Sequence, residues 1–454
     1  MRELRVLSPT AILGYGFPME SFIEGMKRKP HVIAVDAGST DPGPYYLGAG
    51  IPFTDETAVK RDLTIIIREA RKNNIPVIIG SAGGCGGKPH VQEVVNIVKS
   101  IGKENDLLFK MAIIHAEISK ELVLNKLEEG KISALYPAPV LTKREIEKTE
   151  RIVGQMGIEP IIRALEEEAE VIIAGRAYDP TVFAALAVKE GYDTGLALHM
   201  GKILECASIA ATPGSGSDCM FGYLGEDYFK LEPLNPIRKC TTLSVAAHTL
   251  YEKTNPYVLP GPGGVLDLQE TKFEQETDNI VKVTGSKFIP SQVYTIKLEG
   301  AKKIGFRTIS IAGTRDNIMI SQIDSIIDEV KERVQDNFKE ADYKYYLDFK
   351  VYGKDAVMGC LEAVNSINSH EIGIVIEAVA DTQKIANTIC SFTRSTMLHY
   401  GYSGRISTAG NLAFPYSPSD FKAGEVYEFS IYHIVEVDDP YELFPIDYID
   451  IGET

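Results

Sequence analysis

The sequence predicts an α/β protein with two parts: an N-terminal, doubly wound, Rossmann-like parallel-sheet domain and a C-terminal α+β domain with an antiparallel sheet. Over residues 1–211, short apolar runs alternate with segments of helical periodicity, which is typical of βαβ units. Over residues 282–454 the order becomes two strands, a helix, two strands and a helix. Between them, residues 212–281 form a linker or cap, because their Gly-, Pro- and Ser-rich start favours irregular turns over Thr212–Gly264. A chain of 454 residues is also long enough for two or three domains.

Five apolar runs are the expected strands of the parallel sheet: Val32–Val35, Ile75–Ile79, Met111–Ile114, ISALYPAP and Val171–Ala174. Apolar residues at helical spacing predict helices over Thr57–Asn74, Val91–Ile101, Ile118–Glu129 and Thr142–Glu170. We expect the last and longest of these helices to break near Gly154 and Gly157.

In the C-terminal domain, QVYTIKLEG and KIGFRTISIAG are expected to be two strands joined by a turn around Gly300–Lys302. A helix over Ile318–Phe338 follows, then the strands YKYYLDFKVYG and EIGIVIEAVAD, then a helix within DTQKIANTICSFTRSTMLHYG. The β-rich stretch EVYEFSIYHIVEV is expected to return to one of the sheets.

Composition restricts the classes of partner. The formal charge of −16 argues against a nucleic-acid or anionic-membrane partner, since both require a basic face. No apolar run approaches the ~20 residues of a membrane span, and the start MRELRVLSP lacks the apolar region of a signal peptide. The six cysteines form no C-x-x-C pair, so a reduced, cytoplasmic compartment is expected. General frequencies favour a homo-oligomer.

Polar residues stand where the apolar runs end: Asp36, Ser81, His115, Tyr136 and Arg176. Ligands of open parallel sheets bind outside the carboxyl ends of the strands. The sequence therefore predicts one shared pocket at that edge.

The loop that follows the first apolar run, DAGSTDPGP, contains Asp36, Ser39, Thr40 and Asp41. Such a loop suits a substrate, a divalent cation or a general base, with Asp36 favoured as the base because it adjoins the apolar run. Asp and Ser also form turns and helix caps for structural reasons alone.

The loop that follows the second apolar run, GSAGGCGG, is a glycine-rich turn between a predicted strand and a predicted helix. Gly80, Ser81, Gly83 and Gly84 are candidates to hold a phosphate, a carboxylate or a thioester oxygen, because glycine permits close approach and a helix N-terminus favours an anion. The spacing matches neither a P-loop nor G-x-G-x-x-G. A tight packing turn is the alternative.

Further candidates follow from residue chemistry. Arg176 suits bidentate binding of a carboxylate, with Asp179 to orient it or to cap the following helix. His115 is a candidate acid or base because its unperturbed pKa lies near neutrality. In GKILECASIA, Glu205 is the better catalytic candidate, since nothing local activates Cys206 as a nucleophile.

Two remaining features are less specific. The segment SFTRSTMLHYGYSGR contains Arg394, which is either a second contact for an anionic substrate or part of an ordinary helix end. Metal-ligand spacing is absent from the sequence, and a divalent metal held by distant carboxylates stays open.

Six motifs in order resemble the acyclic terpene utilisation (AtuA) family over roughly Ala11 to Gly313: LGYGFPMESF, DAGSTDPGP, AGRAYDP, GKILECAS, TLYEKTNPYVLPGPGGVLDL and VTGSKFIPSQVYTIKLEGAKKIGFRTISIAG. The resemblance implies a cytoplasmic protein that acts in the catabolism of branched acids through acyl-CoA esters. It further implies a lyase or hydratase step, and a small, separately encoded partner protein is compatible with it. The chain has TTLSVAAHT, with His248, where the family has a Gly-rich segment with Glu-Gln. A shorter carboxylic acid therefore stands beside a terpenoid as the expected substrate.

The favoured hypothesis is a lyase or hydratase that acts next to a carboxylate or acyl-CoA thioester and either adds or eliminates water or cleaves a carbon–carbon bond. Asp36 or His115 would be the base, Arg176 the anion clamp, and the amides and hydroxyl around Ser81–Gly84 the oxyanion site. The alternatives are a non-catalytic subunit that binds a carboxylate or acyl-CoA, and a nucleotide-dependent transferase. No cofactor is specified by the sequence beyond a CoA thioester as substrate.

Overall fold

The computed structural model describes residues 3–251, 254–364, 366–406 and 410–452. They form two compact units: the first runs to Lys302 and resumes at Phe429, and the second is Lys303–Glu428. Compactness does not show which segments fold independently, so the division at 211 and 281 stays a prediction. No helix among the described residues is both long and apolar enough to cross a membrane.

In chain order the strands of the described residues are β1 (Leu4–Ser8), β2 (Val32–Asp36), β3 (Val77–Gly80), β4 (Phe109–Ile114), β5 (Ile132–Ala134), β6 (Arg151–Gly154), β7 (Val171–Ala174), β8 (Met220–Leu224), β9 (Tyr228–Pro233), β10 (Val258–Gly261), β11 (Gly264–Asp267), β12 (Lys272–Gln275), β13 (Val281–Thr284), β14 (Lys287–Pro290), β15 (Thr295–Thr314), β16 (Tyr345–Tyr352), β17 (Ile372–Ala380), β18 (Asp420–Glu436) and β19 (Ile446–Ile451). The helices are α1 (Met19–Lys27), α2 (Pro44–Ala49), α3 (Glu56–Lys72), α4 (Lys88–Glu104), α5 (Lys120–Glu128), α6 (Lys143–Lys148), α7 (Glu159–Glu166), α8 (Thr181–Lys189), α9 (Thr194–Leu204), α10 (Thr242–Leu250), α11 (Asn317–Ser321), α12 (Ile323–Phe338) and α13 (Gln383–Leu398).

The first unit is built on a sheet of order β12-β13-β9-β8-β1-β2-β3-β7-β4-β19. Its centre, β1-β2-β3-β7-β4, is parallel, as the α/β prediction requires. Alternate strand residues enter two separate cores: Val32 and Ala34 pack in one, and Ile33 and Val35 in the other. Burial on both faces is the arrangement of a doubly wound sheet, so the predicted fold class is confirmed.

The carboxyl ends of four central strands meet along one edge of this sheet. Asp36 at the end of β2 pairs with Gly80 at the end of β3. The Ser81 amide then donates to the Gly175 carbonyl. The Gly175 amide donates in turn to the Ile114 carbonyl. The ends of β2, β3, β7 and β4 therefore form one continuous rim.

The second unit is antiparallel, with β17 paired to β16 on one side and to the second half of β15 on the other. Its core contains buried residues from α12, α13, β16 and β17. This confirms the predicted α+β character of the C-terminal part.

The prediction of an irregular segment over Thr212–Gly264 is wrong. β8 pairs antiparallel with β1, and β9 pairs with β8, so both extend the main sheet. Phe221 and Phe229 are fully buried there. Some of the turn-forming residues, such as Pro233 and Pro260, lie within strands, so pairing and burial against neighbouring strands determine these strands.

Two further element predictions are wrong. The expected break of the helix Thr142–Glu170 near Gly154 and Gly157 is confirmed, but the segment before it contains the strand β6 after the short helix α6, because β6 pairs with the first half of β15. The expected turn at Gly300–Lys302 is absent, since β15 is continuous through it. A Cβ on Gly300 would lie 3.0 Å from side-chain atoms of Ile431 and Thr149, so this glycine permits close packing.

Candidate functional site

Arg176 is the centre of the polar groups at the rim. It lies directly after β7, and its side chain is buried. Its Nε donates to Glu299 Oε2 at 2.8 Å. Its Nη1 donates to Ser81 Oγ at 3.1 Å, to the Ala177 carbonyl at 3.0 Å and to Asp179 Oδ1 at 3.0 Å. No described residue accepts a hydrogen bond from Nη2. The donors of this nitrogen are therefore not used within the described part of the protein.

Glu299 lies on β15 and neutralises Arg176. Its Oε1 also accepts from Thr40 Oγ1 at 2.9 Å and pairs with Lys297 Nζ at 2.7 Å. Burial would raise the pKa of Glu299, but the charges of Arg176 and Lys297 lower it to about 2. The carboxylate is therefore ionised, and it fixes the guanidinium in place. We call Thr40, Ser81, Arg176, Asp179, Lys297 and Glu299 the Arg176 cluster.

Glu299 and Lys297 were not among the predicted site residues, because the segment QVYTIKLEG was interpreted only as a strand. The available signal was the i, i+2 placement of Lys297 and Glu299, which puts both on one face of a strand. Their pairing with Arg176 depends on a sequence separation of 123 residues.

Asp36 ends β2 beside the Arg176 cluster. It is 6 % exposed. Its Oδ2 accepts from the Gly38 amide at 3.2 Å, and its Oδ1 has no hydrogen-bond partner among the described residues. Burial and the charges of Asp179 and Glu205 raise the pKa of Asp36 well above its usual value, although Arg176 opposes this. A buried carboxyl with a raised pKa and an unpartnered oxygen is suited to proton transfer.

The glycine-rich turn GSAGGCGG packs closely against two neighbouring loops of the rim. Gly86 has φ +64°, and a Cβ there would lie 1.9 Å from the Arg176 amide nitrogen. A Cβ on Gly38 would lie 3.2 Å from Gly84 Cα. These glycines are therefore needed for close packing of the turn against the DAGSTDPGP and AGRAYDP loops.

Four amides of this turn already donate to carbonyls of the protein. Those of Ser81, Ala82, Gly84 and Gly86 donate to backbone carbonyls. The first amide of α4, at Lys88, donates to Glu117 Oε2 at 2.7 Å, so a carboxylate of the protein already satisfies that helix end. The prediction that amides around Ser81–Gly84 hold an oxyanion is wrong for Ser81 and Gly84, and Ser81 instead contributes its hydroxyl to Arg176. Gly80 and Gly83 pack against Val182 and His90.

Glu205 and Tyr178 extend the site away from the Arg176 cluster. Glu205 follows α9, and its charge raises the pKa of Asp36, as described above. Burial, together with the charges of Glu205 and Asp179, raises the pKa of Tyr178. Tyr178 therefore holds its proton at neutral pH.

A cavity of ≈ 320 Å³ begins at Tyr178. Its walls are mainly apolar and include Leu198, Leu259 and Phe288. The Tyr178 ring lies against it, since a Cβ on Gly261, another wall residue, would meet this ring at 2.8 Å. The cavity is about twice the ~150 Å³ that holds one benzene, so an apolar group of substantial size fits.

The remaining predicted site residues lie elsewhere. His115 Nε2 pairs with Asp447 Oδ2 at 2.8 Å, and none of its contacts is with the Arg176 cluster. Ser39 Oγ donates to exposed Asp41 rather than into the site. Tyr136 is 96 % exposed, and its strand, β5, pairs with β18 outside the parallel sheet. Its expected place in the shared pocket is therefore wrong.

Arg394 belongs to the second unit. Its Nε donates to Asp420 Oδ1 at 2.8 Å and its Nη2 to Oδ2 at 3.1 Å. Arg394, the candidate second contact for an anionic substrate, is thus paired with a carboxylate of the protein.

Within the described ranges, no group of three or more His, Cys, Asp and Glu side chains is arranged to hold a metal ion.

One family model matches most of the chain. It is described as "Acyclic terpene utilisation family protein AtuA" and covers residues 55–218 and 238–416. The matched segments include Ser81, Arg176 and Glu299, whereas Asp36 precedes them. No curated protein and no solved structure matches the chain.

Proposed function

The chain belongs to the acyclic terpene utilisation (AtuA) family, and from this membership and the site we propose that it is a lyase that adds or removes water. Family membership implies a role in acyclic terpene catabolism. The proposed substrate is a small or branched acid, either free or as an acyl-CoA thioester, and the reaction takes place next to its carbonyl carbon.

The proposal depends on two groups of the site: one that accepts a proton, and one that donates hydrogen bonds to an anion. Asp36 has an unpartnered, buried oxygen, and Arg176 has a nitrogen that no described residue uses. Elimination next to a carbonyl requires both groups, because a proton leaves the α carbon while negative charge develops on the carbonyl oxygen.

In the dehydration direction, Asp36 takes the α proton, and the C–H electron pair moves to the carbonyl oxygen beside Arg176 Nη2. The pair then returns to form the Cα–Cβ double bond as the bond from the β carbon to its hydroxyl breaks. The departing hydroxyl takes the proton from Asp36 and leaves as water. Hydration is the reverse. The raised pKa of Asp36 supports both transfers, since it makes the carboxylate a stronger base than an ordinary aspartate.

The arrangement around Arg176 supports its role as a clamp. Glu299, Ser81 and Asp179 fix the guanidinium, so little side-chain freedom is lost when a ligand binds. Tyr178 lies between the carboxylates and the apolar cavity. We infer that an apolar branch of the substrate occupies the cavity while its carbonyl end meets Arg176.

The decisive experiment is Asp36→Asn, with Asp41→Asn as the matched control in the same loop. Each purified chain is incubated with 3-hydroxyacyl-CoA thioesters and free 3-hydroxy acids with straight and methyl-branched chains, and the product is identified by NMR in deuterated water. We expect Asp36→Asn to lower turnover by about 10²–10⁴-fold and the exposed Asp41→Asn to leave it unchanged.

Three outcomes contradict the proposal. Equal loss in both variants would show that the loss does not depend on the Asp36 carboxylate, against its role in proton transfer. Unchanged turnover of Asp36→Asn would remove Asp36 from proton transfer. Binding without turnover by the native chain would support the alternative of a non-catalytic acyl-binding subunit.

A further inference from the structure

A second group of polar side chains lies where α9 ends, and the reaction proposed above does not use most of it. It consists of Lys202, Glu205, Cys206, His248 and Tyr251, and we call it the Lys202 cluster. Lys202 Nζ lies 5.0 Å from the centre of the Tyr251 ring, and the His248 ring lies 4.7 Å from the same ring. Cys206 Sγ lies 3.3 Å from the Tyr251 hydroxyl.

Lys202 is buried in an ion pair with Glu205 that is too long to be a hydrogen bond. Its side chain is 4 % exposed, and the nearest carboxylate oxygen, Glu205 Oε1, is 3.7 Å away. In the part of the chain that the structure describes, no atom accepts a hydrogen bond from Nζ. An ammonium has three donors, and burial of a charge is costly unless those donors are used. The side chain is therefore poised for an acceptor from a ligand.

His248 is a second buried side chain with a nitrogen that makes no hydrogen bond to the described residues. It is 7 % exposed, and its Nε2 has no hydrogen-bond partner among the described residues. Burial and the nearby charge of Lys202 lower the pKa of His248 to about 4. Its imidazole is therefore neutral at neutral pH, and Nε2 is able to share a hydrogen bond with a ligand.

The Lys202 cluster adjoins the Arg176 cluster. Glu205, the partner of Lys202, is close enough for its charge to raise the pKa of both Asp36 and Tyr178. The charge of Asp179 likewise contributes to the raised pKa of Cys206. A Cβ on Gly201, which precedes Lys202, would lie 2.4 Å from the Pro180 carbonyl oxygen, so α9 packs directly against the residues that follow Asp179.

We propose that Lys202 and His248 form a second anion subsite of the same active site, which binds a second carboxylate of the substrate. This inference rests on the proposed function and specifies its substrate class: a branched dicarboxylic acid or its monothioester. The end that reacts meets Arg176 Nη2, the second carboxylate meets Lys202 Nζ, and the apolar branch lies in the cavity beside Tyr178.

The test measures binding of two acids by calorimetry, without any requirement for turnover. Methylsuccinate and 2-methylbutyrate differ in that a carboxylate replaces a terminal methyl. We expect the native chain to bind methylsuccinate at least about tenfold more tightly, the equivalent of one hydrogen bond to a charged group. Lys202→Met should remove this preference and leave the affinity for 2-methylbutyrate unchanged.

The matched control is Lys189→Met, since Lys189 is also paired with a neighbouring glutamate, Glu190, at 3.9 Å but is more exposed. It should keep the native preference. His248→Phe, which retains Lys202, should reduce the preference about threefold or more and provides a second variant if Lys202→Met does not fold.

Equal affinity of the native chain for both acids, or binding of neither, would overturn the subsite. So would a preference that persists in Lys202→Met. Selective binding of methylsuccinate without any catalysis would instead support the subsite and count against the proposed lyase reaction, so the two failures are distinguishable.

Discussion

Replacement of Glu299 by Gln tests whether the Arg176 cluster is held by a buried carboxylate. The change keeps the shape of the side chain and removes its charge. It removes the carboxylate that pairs with Lys297 and the more deeply buried of the two carboxylates that pair with Arg176, the other being Asp179. Removal of one member of a buried pair is strongly destabilising, because the remaining charge is uncompensated.

The magnitude follows from the pKa. The pKa of Glu299 falls from 4.5 to about 2, which corresponds to about 3 kcal/mol at roughly 1.4 kcal/mol for each tenfold change in proton affinity. Typical losses for a broken buried pair, ~3–5 kcal/mol, are of the same size. We therefore expect Glu299→Gln to lower the local free energy of unfolding by about 3 kcal/mol at pH 7.

The sign of the pH dependence follows as well. The pKa is lower in the folded state, so this stabilisation is complete above pH 4.5 and is lost as the pH falls towards 2. Glu299→Gln should lack that part of the acid sensitivity. A suitable measurement is hydrogen exchange in peptides that cover β2 and β7, at pH 7 and at pH 3.

The control is Glu104→Gln, which breaks the surface pair with Lys60. Exposed pairs contribute little because water screens them, so exchange in β2 and β7 should stay at the native rate. If exchange is equally slow in Glu299→Gln and in the native chain at pH 7, the reasoning about the buried pair is refuted.

Two other predictions concern the supporting structure. His199 is buried between two hydroxyl groups, and burial together with the charge of Lys202 lowers its pKa to about 3. The unfolded chain therefore binds a proton between pH 6.5 and 3 that the folded chain excludes, so stability should fall as the pH decreases through this window. The acid dependence of urea unfolding should be shallower in His199→Asn, and identical slopes would count against the prediction. Gly86→Ala should destabilise the first unit severely, because its Cβ would lie 1.9 Å from a backbone nitrogen at φ +64°. Gly191→Ala is the control, because Gly191 has φ +84° and a Cβ there would meet no atom within 4 Å, so only backbone strain is introduced. Gly86→Ala should therefore melt at a clearly lower temperature than Gly191→Ala. Similar melting temperatures would be inconsistent with the close approach at Gly86.

Local sequence was most informative about the rim. Strand ends in a parallel sheet share an edge, and this rule alone grouped Asp36, Ser81 and Arg176. The rule does not say where a side chain points. His115 lies at the same rim but is paired with Asp447, and Asp447 is 332 residues away in the chain.

Elements whose partners lie far along the chain were predicted least well. β6 lies within a segment of helical periodicity and becomes a strand because β15 pairs with it. β8 and β9 lie among turn-forming residues and become strands because β1 offers an unpaired edge. In both places, long-range pairing outweighs local propensity.

The alternation of strands and helices, the two-sided burial of the central sheet and the polar residues at its rim are readable from the amino-acid sequence, because they depend on local periodicity and on the geometry of parallel strands. Which charges meet depends on the folded chain. Glu299 reaches Arg176 across 123 residues, and Lys202 and His248 come together around Tyr251 through the packing of α9 with α10. The free energy of a buried charge depends on its three-dimensional neighbours, and local sequence does not encode these neighbours.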